Sequence, residues 1–205
     1  ALCLAGATLL GFRCARAPIA TGFQTFASPP SHPIVLTPDG ANLYVANTTS
    51  NSVSVISTQI AAVVAEIGVG IEPVGLAVRP DGGELWVSNH VSDSVSVIDL
   101  NPASPRYHSV VATIQDLDAG GVTHFDEPVG IAFASNQKAY VALSSTNDIA
   151  VVDVASRTVT GRIHITANEP RDLAVRGGYL YVAAFESGNQ SELSVCPNLP
   201  GTPLP

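Results

Sequence analysis

Residues 38–57 read PDGANLYVANTTSNSVSVIS and residues 80–99 read PDGGELWVSNHVSDSVSVID, nearly the same phrase at a separation of 42 positions. A fixed period of this size marks a chain built from repeated supersecondary units. Extending the alignment gives four copies, beginning near Ser31, Pro73, Pro128 and Pro170, with spacings of 42, 55 and 42 residues. The middle spacing is one period plus an insertion of 13, so the count holds along the chain.

Each copy carries the same short apolar segments in the same order. The first is Ile34-Val35-Leu36, matched by Leu76-Ala77-Val78, Ile131-Ala132-Phe133 and Leu173-Ala174-Val175. A turn follows, Pro38-Asp39-Gly40 or Pro80-Asp81-Gly82, whose Asp and Gly suit a tight hairpin with positive φ. The second segment centres on an aromatic, Tyr44, Trp86, Tyr140 or Tyr181. The third alternates with period two, as in Val53-Ser54-Val55, Val95-Ser96-Val97, Ile149-Ala150-Val151 and Leu193-Ser194-Val195. The fourth is Val63–Ile67, Val110–Ile114 and Val159–Ile163, and copy four has no counterpart. Four short strands per unit of about 42 residues predict an all-β fold, a β-propeller of four-stranded antiparallel blades. A blade buries both faces against its neighbours, which explains 46% hydrophobic and only 13% charged residues without any sustained helical periodicity. A β-sandwich also repeats short strands, but it does not require four matching copies.

The phrases Tyr44-Val45-Ala46-Asn47 and Trp86-Val87-Ser88-Asn89, after Pro-Asp-Gly and before Ser-Val-Ser-Val-Ile, resemble the YVTN-type β-propeller repeat of exported and surface-layer proteins of bacteria and archaea. The resemblance spans about residues 31–196. Copies three and four depart from it, with Leu143 and Ala184 in place of the Asn and with Ala134-Ser135-Asn136 and Arg176-Gly177-Gly178 in place of the turn. The resemblance implies about seven blades, so the four copies here are expected to be a fragment of a larger propeller. The alternative is a closed four-bladed ring, with residues 22–27 (GFQTFA) supplying a closing strand.

The chain divides accordingly into residues 1–17, a truncated leader; 18–30, a linker or closing strand; blades at 31–72, 73–127, 128–169 and an incomplete 170–196; and a Pro-rich tail at 197–205. The opening ALCLAGATLLGF has the length and polarity of an export-signal core, and Ala15-Arg16-Ala17 has the form of a cleavage site. A native first strand or tail fits the same residues. The leader reading predicts export, to the periplasm or cell surface of a prokaryote, and no membrane span in the mature chain. With a net charge of −8 and nine scattered Lys and Arg residues, the chain lacks the basic patch that nucleic acid requires. Its three cysteines form no disulfide framework and no zinc or covalent haem spacing, and Cys196 falls at a core position of its copy. No cofactor is expected within the chain apart from a divalent cation.

In a propeller the connector into each innermost strand and the loop between the second and third strands lie on one face, around the mouth of the channel. Glu72, Glu127 and Glu169 share a position there, each just before the Pro of its copy. Ring symmetry brings such carboxylates toward one opening, where they could hold a cation or a basic partner; otherwise they are loop residues whose carboxylates cap backbone N–H groups. The insertion enlarges a loop on the same face and gathers Asp116, Asp118, His124 and Asp126 beside Glu127. Asp116-x-Asp118 with Gly120-Gly121 matches half of a calcium loop, a candidate metal site, while an acidic loop that shapes partner contacts is the simpler alternative. His32, Arg171 and Asp172 stand near the start of the inner strands of copies one and four, and His90 follows the second strand of copy two. On a closed ring they would converge with the glutamates as an acid/base group; alternatively they tie blades together.

No phosphate loop, nucleophile elbow or His-Glu-x-x-His motif is present. The least demanding function is therefore an exported, non-catalytic propeller that binds or scaffolds a protein or surface ligand through its channel-mouth loops. Two further readings come from resemblance: the propeller of a larger periplasmic protein with haem or copper domains elsewhere in the same polypeptide, or a lactonase-like hydrolase with Glu, His and Arg at the channel.

Overall fold

The computed structural model describes residues 30–186. The expected leader, the closing strand at 22–27, the third strand of copy four and Cys196 lie outside the described residues. Within them the chain forms three four-stranded antiparallel sheets and one two-stranded sheet. Blade one holds β1 (Ile34–Leu36), β2 (Asn42–Asn47), β3 (Ser52–Ser57) and β4 (Ala62–Gly68). Blade two holds β5 (Pro73–Val78), β6 (Glu84–Asn89), β7 (Ser94–Asp99) and β8 (Val110–Ile114). Blade three holds β9 (Pro128–Phe133), β10 (Lys138–Leu143), β11 (Asp148–Asp153) and β12 (Thr158–His164), and blade four begins with β13 (Asn168–Arg176) and β14 (Tyr179–Glu186). Each sheet runs in chain order from its inner strand outward, the arrangement that the 42-residue period predicts. The aromatic of the second strand pairs with the same place in the third: Tyr44 with Val55, Trp86 with Val97 and Tyr140 with Val151.

The Pro-Asp-Gly turns close as their sequence demands. Gly40 and Gly82 adopt φ of 72° and 75°, and Asp39 and Asp81 accept the N–H of the residue two positions on, at 3.0 and 2.9 Å. Copy three closes a turn one residue shorter and without a left-handed glycine: the Ala134 N–H donates to the Lys138 carbonyl at 2.8 Å, and Ser135 Oγ accepts the Gln137 N–H at 3.1 Å.

The core is divided into three clusters, one per blade interface. Tyr44, Val53 and Val55 of blade one meet Leu76, Leu85 and Ile98 of blade two. Trp86 and Val97 of blade two meet Ile131, Val141 and Val152 of blade three. Ala142 and Ile149 of blade three meet Leu173 of blade four. The inner strands approach so closely at the axis that only glycine fits. A Cβ on Gly75 would lie 2.3 Å from the Val129 carbonyl oxygen, and one on Gly130 would lie 2.7 Å from the Arg171 carbonyl oxygen. Tyr181, the aromatic of the fourth copy, is 57% exposed, whereas Tyr44 and Trp86 are fully buried under the next blade.

A second link joins blades at the face opposite the channel mouth. The outer hairpins of blades two and three each hold one residue in the left-handed region, His108 and Arg157, both with φ of 58°. Each reaches back one blade. His108 Nε2 shares a hydrogen bond with Tyr44 Oη at 2.9 Å, while Tyr107 stacks on the imidazole. Arg157 donates to Glu84 Oε1 at 3.0 Å, and Glu84 Oε2 in turn accepts the Trp86 indole N–H at 3.0 Å. Burial raises the Tyr44 phenol above its ordinary range and pushes the His108 imidazole down. No helix among the described residues is long and apolar enough to cross a membrane.

Candidate functional site

The three equivalent glutamates are set by the repeat, and in an unexpected way. Glu72, Glu127 and Glu169 all take left-handed backbone, with φ of 56°, 49° and 53°. Their N–H groups donate to side-chain oxygens of the preceding blade: Asn51 Oδ1 at 3.0 Å, Asp93 Oδ1 at 3.0 Å and Asn147 Oδ1 at 2.8 Å. Carbonyls of Glu72 and Glu127 accept N–H groups of His90 and Ser144 in their own blades, at 2.9 and 3.1 Å. The capping therefore runs opposite to the sequence expectation: loop Asn and Asp side chains cap the glutamates, and the carboxylates are left for other contacts.

Those carboxylates meet different surroundings. Glu127 and Glu169 line one cavity of about 510 Å³ on the channel-mouth face, together with His90, Ser144, Arg171 and Glu186. Glu127 Oε2 accepts from Ser144 Oγ at 3.1 Å, and the Arg171 guanidinium pairs with Glu169 Oε2 and lies 5.5 Å from the centre of the Phe185 ring. Glu72 is absent from the lining of this cavity, and its Oε2 is buried without a hydrogen-bond partner. His90 is 96% buried by its 4% exposure, its Nδ1 has no partner, and its Nε2 stands 4.0 Å from Glu127 Oε2. At the matching position blade one has Thr48, whose hydroxyl donates to the Pro73 carbonyl at 2.8 Å, and blade three has Ser144, so His90 is the copy that departs from a structural role.

His32, Arg171 and Asp172 do not join in one group. Arg171 turns to Glu169, while Asp172 Oδ2 lies 3.7 Å from His32 Nδ1, linking blade four with blade one. In the insertion, Asp116 forms an ion pair with Arg162 of β12. Asp118 Oδ1 accepts the N–H groups of Gly120 and Val122 at 2.8 and 2.9 Å, which hold its carboxyl below the usual range, and His124 Nε2 lies 3.9 Å from its Oδ2. The proposed half-loop is thus closed on itself as a turn. Among the described residues no three His, Cys, Asp or Glu side chains come together to hold a metal ion. Asp126 lines a smaller cavity of about 250 Å³ beside His90 and Glu127. Phe125, fully buried in the cluster between blades two and three, anchors the insertion.

Sequence reasoning missed Ser144, Asn168 and Glu186. The first two occupy places where copies three and four leave the repeat pattern, and Glu186 ends a strand whose copy has no complete partner to align with. The one available signal was the position of Ser144 in the repeat: it directly follows the second strand, as Thr48 and His90 do.

A sequence profile of the family described as "Lactonase, 7-bladed beta-propeller" matches residues 27–125. Among solved structures, the chain is similar to Kuenenia stuttgartiensis hydrazine synthase, at 29% identity over 81% of this chain and 45% of that one, with a TM-score of 0.64. It is also similar to the dihydro-heme d1 dehydrogenase NirN in complex with DHE, at 21% identity over 78% of this chain and 33% of that one, TM-score 0.58. A functionally unknown protein from Desulfotomaculum acetoxidans DSM 771 matches at 18% identity over 78% and 50% of the two chains, TM-score 0.61. The chain spans less than half the length of the hydrazine synthase chain. No curated protein matches. The fold is a β-propeller.

Proposed function

We propose that the chain is a binding and scaffolding module that engages a partner through its channel-mouth face, exported as the leader-like opening suggests. One observation carries this reading. The cavity of about 510 Å³ at that face gathers Glu127 and the buried His90, on loops held by the repeat, with Glu169 and Arg171 at the start of β13. Loops fixed by a rigid scaffold are where binding groups are best placed. The partner is a protein or another domain of the same polypeptide.

The test is a photo-reactive residue at Ser145, on this cavity, compared with one at Asp81 on the opposite face, both in the longest natural form of the protein. Crosslinks from position 145 and none from 81 are expected. Crosslinks from neither overturn the reading.

A second reading rests on the comparisons. The similarity to hydrazine synthase at 29% identity supports a propeller that carries a redox module elsewhere in its polypeptide, and the lactonase profile supports a hydrolase. For the hydrolase, lactone hydrolysis by the purified chain that disappears in Glu127→Ala and Arg171→Ala would replace the binding reading with an enzymatic one.

A further inference from the structure

At the channel mouth Glu127, Glu169 and Glu186 line one cavity, and Arg171 is the one Lys or Arg side chain in its wall. With His90 neutral, three carboxylates and one guanidinium leave a formal charge of −2. Each carboxylate has one oxygen engaged: Glu127 Oε2 by Ser144 Oγ at 3.1 Å, Glu186 Oε2 by Asn168 Nδ2 at 3.2 Å, and Glu169 Oε2 by Arg171. The Oε1 atoms take no hydrogen bond from the described residues. His90 adds an observation of a different kind. It is a polar side chain with 4% exposure in the same wall, its Nδ1 is buried without a partner, and its Nε2 is 4.0 Å from Glu127, beyond hydrogen-bond reach. Buried polar groups are nearly always paired, so an unpaired nitrogen on a residue of the cavity wall points to a ligand there.

We infer that this cavity takes a cation with several N–H donors, a primary ammonium or a guanidinium. This rests on the reading of the mouth as a binding face and names its ligand class. An ammonium brings three donors and a guanidinium five, so either can serve more than one acceptor of the wall. An anion would face the surplus of carboxylates at contact distance, where like charges repel. Among the described residues lining the cavity, the one guanidinium, Arg171, is already paired with Glu169. Glu127 and Glu169 are about half exposed, so each pairing is screened and modest, and binding depends on several acting together.

A free amine and the side chain of a partner's Lys share this chemistry, and the test separates them. The isotope-labelled chain is titrated with n-butylammonium, with n-butanol and butyrate as its neutral and anionic counterparts, and with the peptide Ac-Ala-Lys-Ala-NH2. The cationic probes are expected to move the amide signals of residues 127, 144–147 and 168–171, and butanol and butyrate to leave them in place. Glu127→Gln and Glu169→Gln each weaken the cation about fivefold, and Asp81→Asn on the opposite face has no effect. Tighter binding of the peptide by more than about tenfold assigns the site to a partner side chain; equal or weaker binding assigns it to a free amine. Butyrate binding as well as butylammonium, or a cation affinity unchanged in the Glu127→Gln/Glu169→Gln double variant, overturns the inference. The wild-type comparison of cation with anion decides it even where a variant fails to fold. If cations fail while crosslinks from position 145 persist, the mouth remains a partner face and only the cationic class falls.

Discussion

Two cavities of similar size open on opposite faces of the same blades, about 610 Å³ at the hairpin face and about 510 Å³ at the channel mouth. At the hairpin face three arginines, Arg79, Arg106 and Arg157, stand against Asp81, Glu84 and Asp99. Glu84 is 12% exposed and is held by Arg79 at 3.2 Å, Arg157 at 3.0 Å and the Trp86 N–H at 3.0 Å. The Arg79 guanidinium also holds Asp81 below the usual carboxylate range. Arg157 Nε is the one buried atom there without a partner. At the mouth, acids outnumber bases and His90 Nδ1, Glu72 Oε2 and Asn89 Oδ1 are all buried without partners. The same repeat thus ties its most buried carboxylate between two blades at one face and leaves several buried polar atoms without hydrogen-bond partners at the other.

Glu84→Ala would break this contrast most visibly. Removing the acceptor of two arginines and an indole N–H is expected to cost about 3 kcal/mol in denaturant unfolding, because the remaining cations stay partly buried and unmatched. A cost as small as that of an exposed ion pair would show that the hairpin face is no more committed than the mouth. Gly75→Ala comes next, at about 2 kcal/mol, since the new methyl meets a carbonyl oxygen 2.3 Å away at the axis on which both faces depend. An unchanged unfolding midpoint would mean that the inner strands can part without loss.

A smaller effect carries a pH signature. Burial keeps the folded His108 imidazole below its ordinary value of 6.5, so between the two values the unfolded chain binds more protons. Stability therefore rises with pH through this window and is lost as pH falls below about 6.5. Melting temperatures at pH 7.5 and 5.5 should differ more for the wild type than for His108→Asn, a residue that tolerates left-handed backbone. Equal differences would remove His108 from the blade-to-blade link. The smallest expected change has the opposite sign. His90→Leu removes a buried polar group that has no partner, so stability stays level or rises by about 1 kcal/mol while any mouth ligand is lost. A destabilised His90→Leu would place His90 with the structural residues.

The blades were legible because their grammar is local: a turn, an aromatic and a period-two strand recur within 42 residues. Even the weak third copy keeps its hairpin, through a shorter turn in which Ser135 caps the Gln137 N–H. The site was legible only in outline. Glu127 and Glu169 were found from their shared position, yet their left-handed backbone is held by side chains from another blade, such as Asn147, whose Oδ1 accepts the Glu169 N–H. His32, Arg171 and Asp172 are separated because successive residues of a strand point to opposite sides, sending Arg171 to Glu169 and Asp172 toward His32, in keeping with the alternative that they pair with neighbours and tie blades together. The calcium-like Asp118 is the same short acidic residue that closes turns elsewhere in the chain, and spacing alone does not separate the two uses.

The backward reach of the outer hairpins also orders events in time. The Tyr44 hydroxyl gains its partner only when His108 has been made, 64 residues after it, and Glu84, beside Trp86, gains Arg157 only 73 residues after itself. In both pairs the polar tip of the earlier blade is completed by the blade made after it, so vectorial synthesis finishes each of these blades only when its successor has folded onto it.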